Sequence, residues 1–455
     1  MSGADLRRIS DIAPLVRSRM LSPIDLTVSC LREIAQRQAV NAFTTVLEAI
    51  ALQDARRADA EIAAGGWRGP LHGIPIAVKD LIDVAGTRTT SGSAVPSVEA
   101  RADAPVVKRL RDAGAILIGK TNLHEFAYGT TSEETAFGPV KNPIDLSRSA
   151  GGSSGGSAAA LAAGMCFGAI GTDTGGSIRI PSAACGTVGL KPTYGELPVT
   201  GIVPLSGSFD HVGPMARSVA DAVLLFQAMQ AAQPDGLEPS AERLTFGIPQ
   251  PYFCDRIDDD VRRELVRART ALTAAGHKVT DIEVAHAAWT PDVYLHIMLP
   301  EASWYHAPTL ERHATSYSPG VRLRLEMGRY VRAEDYVRAQ HLREVLRQSV
   351  NAALSRVDVL MLPTLPMAAP LLGAQTVDIA GRQEPVRGAM LRLTQMFNVT
   401  GHPSISLPAG RGRDGMPRGL QLVGREHATM NLLRVALAVE RQISGGAGSV
   451  GGGPG

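Results

Sequence analysis

Residues 151–164 read GGSSGGSAAALAAG, and residues 171–186 read GTDTGGSIRIPSAACG. The longest apolar run of the chain, residues 158–170, joins these two glycine-rich segments and is too short to span a membrane. We interpret this run as a buried helix leading into a strand. Glycines let a backbone approach a ligand and direct several N–H groups at one point, as a phosphate or a developing oxyanion requires. The two segments therefore predict a chemical site rather than two flexible turns.

Short apolar runs alternate with helical patterns along the rest of the chain, which indicates an α/β fold. We expect one helix to be capped by Ser22 and opened by Pro23, and a second to cover residues 46–64. The runs expected to form strands are residues 74–78, 115–118, 166–171, 357–362 and 404–407. No repeat or long linker divides the chain, so we predict one large domain over residues 1–444 and a mobile glycine-rich tail over residues 445–455.

The overall composition leaves the function to a local site. The chain has 46 Lys and Arg against 44 Asp and Glu, a formal net charge of +2, so no broad field favours nucleic acid or an anionic membrane. Its four cysteines show no CxxC spacing, and the N-terminus lacks the pattern of a signal peptide. We therefore expect a cytoplasmic protein without membrane association or direct nucleic-acid binding. Cys166 and Cys185 are expected to be small buried side chains rather than nucleophiles.

Two other kinds of site fit the glycine-rich segments less well. Neither segment contains the GxxxxGK[ST] or GxGxxG spacing of nucleotide-binding loops. Residues 151–155 match the GxSxG nucleophile elbow of α/β-hydrolases, with Ser153 as the serine. An elbow needs a buried strand directly before that serine, whereas residues 142–150, NPIDLSRSA, are polar and turn-like. We treat this match as incidental and keep an esterase of that type as a distant alternative.

The two segments, extended to GTDTGGSIRIPSAACGTVGLKPTYG, resemble the signature of the amidase signature family. Residues 73–80, GIPIAVKD, are similar to the lysine motif of that family, and Ser177 follows Ser153 by the family's spacing of 24 positions. Further similar segments are KTNLHEFAYG (120–129), DVLMLPTLP (358–366), TGHPSISLPAG (400–410) and GMPRGLQLVG (415–424). The resemblance extends from about Pro70 to Gly424 and implies a central mixed β-sheet surrounded by helices.

The resemblance implies a catalytic set of Ser177 as the nucleophile, Ser153 as the proton-relaying serine and Lys79 as the general base. It also implies that the peptide bond before Ser153 is cis and that Ser153 helps to bind the substrate. The carbonyl of Ala127 would accept a hydrogen bond from the substrate amide N–H. The backbone N–H groups of Thr174, Gly175, Gly176 and Ser177 would form the oxyanion hole. No cofactor or metal is implied.

The chemistry of the residues agrees with these roles. A serine hydroxyl needs a base, and a lysine serves near neutral pH only if burial disfavours its ammonium form. Lys79 ends an apolar run, so a strand can bring it into such surroundings; without the serine motifs it would be a loop lysine paired with Asp80. We assign supporting roles, as scaffold or hydrogen-bonding partners, to Ser154, Thr172, Asp173 and Arg179.

The eleven histidines provide no local anchor for a Ser-His-Asp triad. Folding can bring His72, His124 or His211 towards Ser177, but a surface or structural role is the simpler interpretation of each. His124-Glu125 lacks the second histidine of a zinc-binding helix, and no other cluster has metal-ligand spacing.

We therefore predict an amidohydrolase that cleaves a small-molecule amide through a serine acyl-enzyme, with carbamates and esters as further candidate substrates. The alternative within the family is the glutaminase (A-type) subunit of a tRNA-dependent amidotransferase. The sequence leaves a homodimer open. Residues 289–319 include Trp304, Tyr305, His306 and Tyr317, which suggest an apolar or aromatic substrate or, alternatively, a filled core.

Overall fold

A sheet of eleven strands forms the centre of the computed structural model, which describes residues 8–233 and 236–445. The strands in chain order are β1 (Phe43–Val46), β2 (Pro75–Lys79), β3 (Ile116–Thr121), β4 (Gly168–Asp173), β5 (Val188–Lys191), β6 (His211–Ala216), β7 (Thr245–Gln250), β8 (Lys278–Glu283), β9 (Val359–Pro363), β10 (Thr376–Ile379), β11 (Arg382–Pro385), β12 (Ser404–Arg411) and β13 (Pro417–Val423). The order across the sheet is β1-β3-β2-β4-β6-β5-β12-β13-β9-β7-β8, while β10 and β11 form a separate hairpin.

The sheet is mixed, as predicted. Strand β2 pairs in parallel with β3 and β4, and β7 pairs in parallel with β8 and β9. In the middle of the sheet, the successive pairs β4–β6, β6–β5, β5–β12 and β12–β13 are antiparallel. All five residues of β2 are buried, which suits a strand with parallel neighbours on both sides.

Helices surround this sheet, and most of the buried apolar side chains form one continuous core between the two. The helices are α1 (Ile9–Arg17), α2 (Pro23–Gln36), α3 (Glu48–Ala63), α4 (Pro105–Asp112), α5 (Gly155–Ala162), α6 (Arg179–Cys185), α7 (Val219–Met229), α8 (Asp259–Ala274), α9 (Thr290–His313), α10 (Pro319–Met327), α11 (Ala333–Leu354), α12 (Val386–Leu391), α13 (Met396–Val399) and α14 (Thr429–Gly445). In the described part of the chain, none of the helices has the length and apolar character needed to cross a membrane.

The local sequence signals explain where several elements begin. Ser22 caps α2 as predicted, because its Oγ accepts a hydrogen bond from the backbone N–H of Ile24 at 3.1 Å. The apolar run between the glycine-rich segments forms helix α5 followed by strand β4, also as predicted. Helix α5 is built from glycine, serine and alanine with one leucine, and these small side chains let it pack deep in the core.

Other predictions need adjustment. The helix expected over residues 46–64 begins at Glu48, and Val46 instead ends strand β1, which was not predicted. The β1 side chains are half-buried or exposed, so the strand carries no continuous apolar signal. The tail predicted over residues 445–455 lies outside the described residues after Gly445, where α14 ends, so the predicted domain boundary remains a prediction.

Candidate active site

Lys79 is the last residue of β2 and is completely buried. Its Nζ donates hydrogen bonds to Ser153 Oγ at 2.7 Å and to Thr172 Oγ1 at 2.8 Å. Burial lowers the pKa of Lys79 to about 7, against the opposing pull of Asp173 and Asp210. Asp80, the partner considered for Lys79 from the sequence, instead forms an ion pair with Lys120 at 2.9 Å. Lys79 is therefore held against a serine in surroundings that favour its neutral amine.

The backbone of the glycine-rich turn at residues 151–154 holds Ser153 in position. The peptide bond between Gly152 and Ser153 is cis, as the resemblance implied. Gly152 has no room for a side chain, because a Cβ there would lie 2.8 Å from the backbone nitrogen of Ser132. The carbonyl of Ser153 accepts hydrogen bonds from His124 N at 3.2 Å and Ser132 Oγ at 3.1 Å. A neighbouring loop thus holds the turn that presents Ser153 to Lys79.

That neighbouring loop, residues 124–132, contains Ala127. Phe126 and Ala127 have left-handed backbone conformations, with φ of 50° and 58°, and both side chains are buried. Since His124 N binds the Ser153 carbonyl, the loop and the serine turn are in direct contact. The structure therefore brings the segment of Ala127 to the same site as Ser153.

Ser177 lies in the loop between β4 and α6, which we call the nucleophile loop (residues 174–178). Its carbonyl accepts a hydrogen bond from Ser154 N at 3.1 Å, which ties the loop to the Ser153 turn. Ser177 is 6% exposed. Within residues 8–233 and 236–445, no hydrogen bond joins the hydroxyl groups of Ser177 and Ser153. The segments of the two serines are therefore joined by a backbone hydrogen bond, from Ser154 N to the Ser177 carbonyl, and not by their hydroxyl groups.

The four backbone N–H groups of residues 174–177 have a common property. Considering the described residues alone, none of them is paired with a protein acceptor, whereas the next two, those of Ile178 and Arg179, both donate to Asp173 Oδ2. Gly176 has a φ of 141°, a conformation that L side chains rarely adopt, and a Cβ there would lie 2.2 Å from Thr394 Oγ1. A run of successive unpaired donors beside a serine can stabilise an oxyanion.

Asp173 and Arg179 bracket the nucleophile loop with a buried ion pair. Arg179 Nη2 lies 2.9 Å from Asp173 Oδ1, Arg179 Nε lies 3.0 Å from Oδ2, and neither side chain is exposed. Burial alone would raise the pKa of Asp173, but Arg179 and Asn398 hold it well below its usual range. The geometry agrees with the scaffold role predicted for this pair.

Ser154 and Thr172, the other two predicted supporting residues, make the hydrogen bonds expected of them. Ser154 Oγ donates to the Thr172 carbonyl at 3.1 Å and accepts from Thr172 N at 3.3 Å. Thr172 Oγ1 in turn accepts from Lys79. These bonds join the Ser153 turn, strand β4 and the lysine.

Sequence reasoning missed three residues near the C-terminus that hold the nucleophile loop or the Asp173–Arg179 pair that flanks it. Thr394 Oγ1 donates to the Gly175 carbonyl at 2.7 Å, and Asn398 Nδ2 donates to the Asp173 carbonyl at 2.9 Å. Gln421 Oε1 accepts from Arg179 at 2.6 Å. Gln421 lies in a segment that resembles the family, but Thr394 and Asn398 lie in none of the family-like motifs, so only folding reveals their contacts.

Asp210, which precedes β6, was also missed. Its Oδ1 accepts a hydrogen bond from Thr174 Oγ1 at 2.6 Å, and its Oδ2 accepts from the backbone N–H groups of Leu205 and Ser206. Burial raises the pKa of Asp210 to about 6, although these hydrogen bonds act to lower it. Asp210 thus anchors the start of the nucleophile loop, at the residue before the one that Thr394 holds.

The three histidines considered for a triad are hydrogen-bonded elsewhere. His72 contacts Glu61 at 3.2 Å, His124 contacts Glu134 at 3.2 Å, and His211 contacts Lys191 at 3.1 Å. In the described ranges, no group of three or more His, Cys, Asp or Glu side chains is arranged to hold a metal.

The two cysteines and the aromatic residues considered from the sequence lie either in the core or on the surface. Cys166 and Cys185 are buried as predicted, and burial raises the pKa of both thiols, to about 12 for Cys166. Of the aromatic residues at 289–319, His306 and Tyr317 are buried against Phe126, whereas Tyr305 and Trp304 are exposed, Trp304 by 80%. His306 and Tyr317 therefore fill the core beneath loop 124–132, while Trp304 lies on the surface.

Known proteins resemble this chain over almost its whole length. The sequence matches the family described as Amidase over residues 25–433. A relative named Amidase from Pseudomonas putida is 39% identical over 458 residues, which cover 97% of each chain. The A-type subunit of glutamyl-tRNA(Gln) amidotransferase from Trichlorobacter lovleyi is 35% identical over 477 residues, covering 95% of this chain and 96% of the relative. A crystal structure of an amidase, 37% identical, superimposes with a TM-score of 0.92 over 96% of this chain and 99% of that one, which confirms the predicted fold class.

Proposed function

This chain belongs to the amidase signature family and is a hydrolase of amide carbon–nitrogen bonds, and from that premise we propose that it forms a serine acyl-enzyme on Ser177. The proposed substrate is a small molecule with a carboxylic amide, and carbamates and esters are further candidates because the same attack on a carbonyl cleaves them. The observation that carries the proposal is the 2.7 Å hydrogen bond between Ser153 Oγ and the buried Lys79 Nζ.

Proton transfer begins at Lys79 in this proposal. The neutral amine of Lys79 takes a proton from Ser153, and Ser153 takes one from Ser177 as the Ser177 oxygen attacks the substrate carbonyl. The lowered pKa of Lys79 supports this step, since near neutral pH a large fraction of the protein molecules carry Lys79 as a neutral amine, which can accept a proton. No histidine is needed, in keeping with the separate hydrogen bonds of His72, His124 and His211.

The tetrahedral intermediate then needs a partner for its negative oxygen. We assign this role to the N–H groups of Thr174, Gly175, Gly176 and Ser177, where one donor typically contributes roughly 3–4 kcal/mol of transition-state stabilisation. The Ala127 carbonyl accepts the substrate amide N–H. Ser153 next gives its proton to the departing amine, and a water molecule activated along the same route releases the acid.

Trapping with a serine-directed fluorophosphonate tests the assignment of the nucleophile. We expect the reagent to label Ser177 in the wild-type chain, and labelling to disappear in Ser177→Ala. Ser182→Ala, which changes a buried serine on the neighbouring helix, is the matched control and should keep the label on Ser177. Peptide mapping that finds the adduct on Ser153 would instead support the nucleophile-elbow alternative.

The glutaminase alternative has an observation of its own, the similarity to A-type amidotransferase subunits over nearly the full chain. In that case the chain would release ammonia from glutamine for a partner protein. Assay of the purified chain on glutamine, aryl amides and aliphatic amides separates the two functions. Turnover of simple amides by the isolated chain supports the amidase, whereas glutamine hydrolysis that requires a co-purifying protein supports the alternative.

A further inference from the structure

A cavity of about 370 Å³ adjoins the nucleophile loop. Tyr294 and Leu391 belong to its lining, and both lie against Gly175: a Cβ on Gly175 would lie 2.7 Å from the Tyr294 hydroxyl and 3.0 Å from Leu391 Cδ2. Arg387 lines the same cavity. Two side chains of the cavity wall are thus packed against the loop that carries Ser177.

Arg387 also approaches the other side of the proposed site. Its guanidinium carbon lies 5.6 Å from the ring centroid of Tyr128, the residue after Ala127. Tyr128 is fully buried, and its hydroxyl has no hydrogen-bond partner within residues 8–233 and 236–445. Arg387 therefore lies near both segments to which we assign contacts with the reacting amide, the nucleophile loop and the segment of Ala127.

The charge of Arg387 is not matched by an acidic side chain. Arg387 forms no ion pair with any described residue, and its Nε is buried without a hydrogen-bond partner among them. The other two arginines of the cavity are paired: Arg256 with Glu384 at 2.9 Å and Arg392 with Asp255 at 2.9 Å.

The nearest other cation makes the contrast sharper. The guanidinium of Arg324 faces the same Tyr128 ring at 5.2 Å, but it is paired with Glu134 at 2.9 Å. Burial lowers the pKa of Arg387, and the positive charge of Arg324 lowers it further. A guanidinium in such surroundings is stabilised by an anion that brings both charge and acceptor oxygens.

We infer that Arg387 binds a carboxylate carried by the amide substrate. This inference rests on the proposed amidase function and deepens it, because it assigns the substrate to the class of carboxylate-bearing amides. The planar fork of a guanidinium matches the two oxygens of a carboxylate, and the two aromatic rings of Tyr128 and Tyr294 would enclose the rest of the ligand. The inference thus assigns an anionic substrate, whereas the sequence suggested an apolar or aromatic one.

Matched substrate pairs test the inference. The monoamides of malonic, succinic and glutaric acid are compared with propanamide, butanamide and pentanamide, and N-acetylglycine with N-methylacetamide. For at least one pair, we expect the wild-type chain to prefer the anionic member, and Arg387→Met to reduce the ratio of the two kcat/KM values roughly 10- to 100-fold, as for a lost charge-assisted hydrogen bond. Arg387→Lys should restore part of the ratio.

Arg382→Met is the control, since it removes an exposed arginine on β11 that does not line the cavity, and it should leave the ratio unchanged. If Arg387→Met does not fold, competitive inhibition of the wild-type chain by malonate, succinate or glutarate, but not by the corresponding diamides, supports the inference. Equal turnover of every pair together with no inhibition by these dicarboxylates overturns it. A wild-type chain that neither hydrolyses any amide nor labels at Ser177 contradicts the proposed function itself.

Discussion

A lysine acts as a base near neutral pH only if its surroundings disfavour the ammonium ion. Lys79 meets this condition because β2 brings it into the core, where, among the described residues, two hydroxyl groups and no carboxylate contact its Nζ. The nearby Asp173 is paired with Arg179, but its negative charge still favours the ammonium form of Lys79. Burial of the amine outweighs this attraction, so the pKa of Lys79 is lowered.

The pH dependence of the reaction follows from Lys79. A base must be unprotonated, and the pKa of Lys79 is about 7, so kcat/KM for a neutral aryl amide should rise with pH through about 7 and then level off. Lys79→Met should reduce kcat roughly 10²- to 10⁴-fold and remove this rise.

Lys108→Met is the matched control for Lys79, because Lys108 is an exposed lysine on α4, and its pH profile should follow that of the wild type. An activity that keeps rising well above neutral pH, as for an unperturbed lysine, would contradict the proposed base.

At the scale of single residues, the sequence predicted the members of the site that lie in local motifs. Lys79, Ser153, Thr172 and Ser177 come together as expected, because each belongs to a segment with a distinctive pattern. Thr394 could not be predicted, since a threonine in the turn between α12 and α13 has no local feature that marks a contact 219 positions away.

The nucleophile loop is the element on which the proposed mechanism most depends. Strand β4 delivers its start, α6 begins at its end, and hydrogen bonds to Asp210, Thr394 and Ser154 fix the backbone between them. A loop fixed at three points can hold its N–H groups in one direction before substrate binds, and such preorganisation is what an oxyanion hole requires.

Gly176→Ala tests this element. A Cβ at position 176 would collide with Thr394, and the φ of 141° found there is unfavourable for a residue with a side chain. We therefore expect the loop to shift and kcat to fall by roughly 10²-fold or more, as when one oxyanion donor is lost. Steady-state kinetics on an aryl amide, with circular dichroism to check folding, provides the measurement.

Gly207→Ala is the corresponding control, because a Cβ at that exposed glycine meets no atom within 4 Å. Its kcat should stay close to that of the wild type. A fully active Gly176→Ala would show that the loop does not need the conformation described for it.

Several of the buried strands were predictable from the sequence, although β5, β6 and β13, which are buried throughout, were not among the expected runs. The continuous apolar runs mark β2, β3, β4, β9 and β12, and a serine followed by proline marks the start of α2. Strand β1 was not predicted because its side chains alternate in neither burial nor polarity. The order of strands across the sheet was likewise out of reach, since it depends on contacts between distant segments.

At the scale of the whole molecule, the C-terminal helix α14 packs against α7 beside the sheet. Its Glu440 accepts hydrogen bonds from the backbone N–H of Val219, the first residue of α7, at 3.0 and 3.2 Å. Burial raises the pKa of Glu440 to about 7, although the Val219 N–H favours the ionised carboxylate. This contact should make stability depend on pH.

The sign follows from proton binding. An unfolded glutamate loses its proton near 4.5, whereas folded Glu440 keeps it up to about 7, so the folded state binds more protons in this window and loses stability as pH rises through it. We expect the Tm of the wild type, relative to that of Glu440→Gln, to fall between these two pH values.

Glu311→Gln, at an exposed position on α9, is the control and should leave the pH dependence of Tm as in the wild type. A difference in Tm between wild type and Glu440→Gln that stays constant from pH 4.5 to pH 7 would contradict a raised pKa at Glu440.

The contacts of Thr394 with the nucleophile loop, and of Asn398 and Gln421 with the ion pair that flanks it, bear on how the enzyme is made. Ribosomes synthesise a chain from its N-terminus, and these residues follow Gly175, Asp173 and Arg179 by 219, 225 and 242 positions. A nascent chain therefore exposes Lys79, Ser153 and Ser177 long before it contains the groups that hold them in place. We therefore expect hydrolysis only when synthesis is nearly finished, and we expect a product of premature termination before Thr394 to be inactive.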